Sequence, residues 1–135
     1  MKAASYARMS TTSIVFLAVF LFPSFSTASD NNGYYYVAML GKNEGSCGAY
    51  ISARNDGRKG DVSKQDAYSI WLAGYVTAYN KLEPDTYNVM GTVDMATLQL
   101  WLENFCKQNP KKLFAEAIEA GMDELYPIRA KQAPK

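Results

Sequence analysis

The run Ser69-Ile70-Trp71-Leu72-Ala73-Gly74-Tyr75-Val76-Thr77-Ala78-Tyr79-Asn80 is the most apolar stretch outside the N-terminus, and any fold must find a place for it. Ala67, Trp71, Gly74, Tyr75, Ala78 and Leu82 recur at three- and four-residue steps, which puts them on one face of a helix. Ile70, Val76 and Tyr79 widen that face, so the pattern predicts a helix buried on more than half its circumference. Ser63 stands at the N-cap position, with Asp66 three residues on as a weaker capping box. Glu83-Pro84-Asp85 ends the run. Gly74 costs about 1 kcal/mol inside a helix, and close approach of another backbone is the expected compensation.

The first 28 residues read as a secretory signal rather than as part of the fold. Lys2 and Arg8 precede the apolar core Ile14–Phe22, and Ser26-Thr27-Ala28 offers small residues at the cleavage site. The apolar run is short of the ~20 residues that a spanning helix needs, and Pro23 interrupts it. The expectation is therefore an exported, periplasmic protein without stable membrane insertion. Taking 28 from 135 residues leaves 107, enough for one modest core. Two of the fourteen basic residues leave with the signal, so 12 face 13 acidic ones and the net charge is −1. That balance argues against nucleic acid as a partner, because phosphate binding needs a net basic face.

Cys47 and Cys106 are the only cysteines, and in an exported chain they are expected to form one disulfide. Closing a loop of that length is worth about 4 kcal/mol in the chain-entropy picture. The absence of histidine from the chain leaves the metal alternative without ligands, so neither metal nor cofactor is expected.

The remaining segments read as follows. Residues 29–45 form a tyrosine-rich lead-in, in which Tyr34 to Leu40 has strand propensity and serves equally as an extended arm. Ser46 caps a short helix from Cys47 to Arg54, and Asn55 to Asp61 is a charged loop with the turn dipeptide Asp56-Gly57. Thr92 or Asp94 opens a helix whose Met95, Leu98, Leu102 and Phe105 share one face. Asn109-Pro110 is an N-cap followed by proline at the first helical position, so the last helix is expected to start there. The basic tail, residues 127–135, is expected to be frayed. The fold class is thus all-α, a bundle of about four helices over residues 46–126 held by one cystine, with a possible N-terminal strand or arm.

Catalytic chemistry finds little to work with. Nucleophilic arrangements lack their histidine base. Asp61, Asp66, Asp85 and Asp94 are each accounted for as first-turn acids or loop residues, so no enzyme is expected. Tyr34, Tyr35 and Tyr36 are candidate partner-binding residues, since aromatic surfaces suit protein partners.

Trp71-Leu72-Ala73-Gly74-Tyr75 with Asn80, then Phe105-Cys106, Asn109-Pro110 and the apolar helix through Ala117, together resemble the HdeA-type periplasmic proteins. Cys47 supplies the earlier cysteine of that family's single disulfide. The resemblance covers Cys47 to Leu125 and implies a helical bundle hung on one cystine. It also implies an acid-stress chaperone that is a homodimer at neutral pH and exposes apolar surface to unfolded clients in acid. The added tyrosine-rich segment and a longer insert after Cys47 depart from that pattern. The chain is also similar to the Tai-type immunity proteins of toxin secretion systems, which are small, exported and helical but richer in cysteine. That likeness implies a module binding one protein partner at neutral pH.

Overall fold

In the computed structural model, residues 36–38 and 44–135 are described, and the expected signal segment lies outside them. Four helices follow in order: α1 (Cys47–Arg58), α2 (Ser63–Leu82), α3 (Met95–Gln108) and α4 (Phe114–Leu125), then a 3-10 turn at Tyr126–Ile128. The protein is an all-α bundle. A disulfide joins Cys47 at the start of α1 to Cys106 near the end of α3, and both residues are fully buried.

The helix in contact with the other three is α1, not the more apolar α2. Its N-terminus is plugged into the loop between α3 and α4. The Cys47 amide donates to the Lys112 carbonyl at 2.8 Å and the Gly48 amide to the Pro110 carbonyl at 3.0 Å. Ala49 donates to Ser46 Oγ at 3.1 Å, and Tyr50 donates to the Ser46 carbonyl. The three amides of Cys47, Gly48 and Ala49, which a helix start leaves without an intrahelical acceptor, are thereby satisfied, and the Tyr50 bond is the first of the helix itself. Phe114 returns the contact by donating to the Gly45 carbonyl at 2.8 Å.

Phe114 then inserts among aromatic rings from two other helices. Its ring lies 4.4 Å from Tyr50 of α1 and 5.1 Å from Tyr68 of α2, and those two tyrosines are 5.3 Å apart. Leu72, Val76, Leu98, Leu102, Ile118 and Met122 extend this core. Burying a side chain of Phe114's size is worth up to about 3 kcal/mol.

Five expectations need correction. The apolar run does form a helix, but only Tyr68, Leu72 and Val76 of α2 are buried. Ile70 is 74% and Leu82 76% exposed, because α2 packs chiefly on α1 and no second layer covers its far side among the described residues. Among the described residues, nothing lies within 4 Å of a Cβ built on Gly74. Close approach occurs instead at Gly57, beside Gln65, and at Gly121, beside Leu98 and Trp101.

Second, α1 continues to Arg58 through the residues expected as loop. Third, Asp61 rather than Ser63 supports the start of α2, accepting from the Ser63 amide at 3.3 Å and hydroxyl at 2.7 Å. Fourth, Asn109 ends α3 instead of starting α4, and its side-chain amide donates to the Phe105 carbonyl at 2.9 Å. The helix α4 starts at Phe114, where Glu116 accepts from the Leu113 amide at 2.7 Å. The expected caps at Ser46 and Asp94 are present.

The fifth correction concerns the C-terminal segment expected to fray. Ala130 exchanges backbone hydrogen bonds with Asn88 at 2.9 and 3.0 Å, and its carbonyl also accepts from Tyr87. The Arg129 guanidinium stacks 3.7 Å from the Tyr126 ring centroid, and Arg129 Nε donates to the Asp85 carbonyl. Gly91 makes this docking possible. It has a φ of +56°, and a Cβ there would lie 2.4 Å from the Ile128 carbonyl oxygen.

Candidate functional site

The only buried charged residue among those described is Glu103, 1% exposed on α3. The cystine joins the start of α1 to the end of α3, and two turns after Cys47 on α1 the side chain of Arg54 reaches Glu103. Arg54 Nε lies 3.2 Å from Oε2, while Arg58 Nη2 and Lys107 Nζ lie 2.5 and 2.7 Å from Oε1. Arg54 and Arg58 are one helical turn apart, as are Glu103 and Lys107, so all three cations converge on one carboxylate. Extension of α1 past Arg54 is what delivers Arg58.

The hydrogen bond from Arg58, helped by those from Lys107 and Arg54, outweighs burial and holds the Glu103 carboxyl down at about 2. Next to it, the Tyr50 hydroxyl donates to the Gln99 carbonyl at 3.2 Å, and burial pushes that phenol up to about 12. Gln99 Nε2 donates in turn to Ser69 Oγ at 3.0 Å, carrying the polar seam from α1 across α3 to α2. The arrangement is an electrostatic tie: one acid-titrating group holds two helices that a cystine also joins.

Sequence reasoning did not single out Glu103. The signal was present in its position: an acid between Leu102 and Cys106 on the core-facing side of an amphipathic helix. The carboxylates considered for catalysis sit apart from it, at helix boundaries. Asp61 supports α2, and Asp94 caps α3 through the Thr97 amide at 2.7 Å. The main-chain carbonyl of Asp85 receives Arg129. Among the described residues, no three His, Cys, Asp or Glu side chains are placed to hold a metal ion. No described helix is long and apolar enough to cross a membrane.

The residues that carried the family resemblance have distinct positions. The Trp71 ring lies 5.7 Å from Tyr75 and 6.1 Å from Phe114, covering the aromatic core. Burial pushes the Tyr75 phenol up to about 12. Asn80 Oδ1 accepts from the amide of fully buried Val89 at 2.7 Å, pinning the α2–α3 loop to the end of α2. The Pro110 carbonyl, beside the Asn109 cap, receives α1. Gly74 faces solvent.

Tyr34 and Tyr35 lie outside the described residues. Tyr36 is 91% exposed, and Tyr36 to Ala38 forms no strand; it passes α2, where Trp71 Nε1 donates to the Ala38 carbonyl at 2.8 Å. A separate apolar groove of about 170 Å³ lies between α3 and α4, lined by Val93, Leu98, Trp101 and Leu125 among others, with Glu124 on its wall. Compared with known protein families, characterised proteins and solved structures, the chain has no match.

Proposed function

We propose that the chain is a non-enzymatic exported protein that loosens in acid and then holds unfolded clients, as its resemblance to the HdeA-type proteins implies. The observation that carries this reading is the Glu103 tie. Near pH 2 the carboxylate takes up a proton, and Arg54, Arg58 and Lys107 are left facing one another across the α1–α3 seam. A mature chain with 12 basic residues then carries about +12, and self-repulsion favours opening. The cystine keeps the start of α1 on α3, so the helices part without separating. The surface that parting uncovers is the aromatic set Tyr50, Tyr68 and Phe114 with Leu98 and Leu102.

The test is aggregation of several unrelated client proteins at pH 2–3 with and without the purified, oxidised protein, with apolar-dye binding followed in parallel. Protection that appears with dye binding supports the proposal. Failure to protect any client, or simple precipitation, ends it. A second reading, a neutral-pH module for one protein partner, is favoured by the exposed Tyr36 on a segment that Trp71 holds against the bundle. It requires a stoichiometric complex at pH 7 and no broad protection in acid.

A further inference from the structure

At the α1–α3 seam three positive side chains meet one negative one, so the cluster carries an excess of two positive charges. Arg54 and Arg58 come from α1 and Lys107 from α3; among the described residues α4, which also packs on α3, adds no ion pair to Glu103. Asp56, the one acid of α1, pairs with Lys59 instead. Tyr50 also faces the carboxylate, and its phenol, pushed up to about 12, stays neutral. The three cations are not placed alike. Arg54 is largely buried, whereas Arg58 and Lys107 are half-exposed, and both approach the same oxygen, Oε1. Two cationic heads therefore converge at the outer edge of a buried carboxyl group.

An ionised carboxylate accepts from all three cations. Once protonated, it loses its charge and gains an O–H that donates, so a fourth donor joins three that no longer have a charged acceptor. The cations themselves do not titrate away in acid, and their excess rises from two charges to three. A small anion at the outer edge can accept from Arg58 Nη2 and Lys107 Nζ together, since both already reach one oxygen atom. A tetrahedral oxyanion offers several acceptor atoms to these donors where chloride offers one. We propose that protonation of Glu103 creates an anion site at the Arg58–Lys107 edge of the cluster, with a small free oxyanion such as sulfate as its preferred ligand. Bound there, the anion takes over part of the carboxylate's role in holding α1 on α3. The anions in solution then help to set the pH at which the seam parts. The inference rests on the Glu103 titration used in the functional reading above, and it stands apart from client binding.

Glu103→Gln holds the neutral form of the site at pH 7, where no client and no acid are needed to test it. Melting temperatures of this variant and of the wild-type protein are followed against sodium sulfate from about 0.5 to 50 mM, a range that brackets the millimolar affinity of a small site for an anion. Exclusion of sulfate from the protein surface stabilises both proteins alike, so the difference between them is the signal. The variant should gain about 5 °C or more over the wild type, with a saturating dependence. Combining Glu103→Gln with Lys107→Gln should remove that gain. Equal responses of the variant and the wild type overturn the proposal, and so does a gain that survives Lys107→Gln. A second arm uses the wild-type protein alone and does not depend on any variant folding. Its acid transition, followed by near-ultraviolet circular dichroism, should lie about half a pH unit or more lower in sulfate than in chloride at equal ionic strength. An identical midpoint in the two salts also overturns the proposal. If the anion effects are present while no client is protected in acid, the site stands and the chaperone reading falls.

Discussion

Arg54 Nε sits 3.2 Å from Glu103 Oε2, and of the three cations on that carboxylate Arg54 alone is largely buried, at 18% exposure. Arg58 and Lys107 close the site from the solvent side. The tie between α1 and α3 is therefore an ion cluster with one anion at its centre, and its state depends on that one group.

Stability should follow the protonation of Glu103. The carboxyl is held at about 2, below its ordinary 4.5, so its contribution is complete above pH 4.5 and is lost as pH falls through that range toward 2. The upper bound is about 3 kcal/mol, reduced by screening at half-exposed Arg58 and Lys107. Glu103→Gln should lose about 2–3 kcal/mol at pH 7, since it leaves Arg54 buried without its counter-charge. Urea unfolding of both proteins from pH 7 to 2.5 checks this. Their stabilities should converge on the acid side, and parallel curves would assign the acid sensitivity elsewhere.

Asn80 should act through the loop after α2. Its Oδ1 is the acceptor for the amide of Val89, which is fully buried. Asn80→Ala strands that donor and should cost about 1–3 kcal/mol. Asn80→Asp keeps an acceptor in place and should recover most of the loss above pH 5. Thermal melts of the two variants side by side give the comparison.

The fold class and the helix count were legible because apolar spacing, the caps at Ser46 and Asp94, and the paired cysteines all point to the same bundle. The burial of α2 was not legible. Its run of Trp71, Leu72, Tyr75 and Val76 looks the same whether one neighbour packs on it or three, and only the placement of α1 decides. Asn109-Pro110 misled for a related reason: Asn109 caps a helix end as readily as a helix start, and here the loop carbonyls that follow it are used to seat α1. Glu103 required knowing that α1 runs on to Arg58 and packs on α3. That arrangement follows from the cystine and the loop contacts, which join residues more than fifty positions apart in sequence.

Two glycines that look alike in the sequence should respond in opposite ways. Gly91→Ala forces a side chain into a left-handed conformation and against the Ile128 carbonyl, so it should cost about 2 kcal/mol or more and release Ala130 from Asn88. Gly57→Ala meets only the flexible end of Gln65 and gains helix propensity, so its effect should lie within about 1 kcal/mol of zero. Denaturant midpoints give the stabilities. Amide exchange at Ala130, whose donor bond goes to Asn88, shows whether the tail has lifted in the first variant alone.

The cystine and the Glu103 tie hold the same pair of helices, and their loss should be separable by pH. Replacing Cys47 and Cys106 by alanine frees the unfolded chain from a closure spanning 59 positions, worth about 4 kcal/mol at any pH. At pH 7 the variant still has Arg54 and Arg58 on Glu103, and the Cys47 and Gly48 positions still face the Lys112 and Pro110 carbonyls, so it should remain folded with a lowered melting temperature. In acid the second tie goes as well. The variant's near-ultraviolet circular dichroism should therefore collapse at a pH about one unit or more above that of the oxidised parent, since 4 kcal/mol is comparable to all that the carboxylate supplies. Amide exchange adds the location: Cys47→Ala should lose protection at residues 47 and 48 first, while Arg54 to Arg58 stays protected until Glu103 titrates. If the whole of α1 loses protection together at pH 7, the two ties are not separate, and the acid response belongs to the fold as a unit rather than to Glu103.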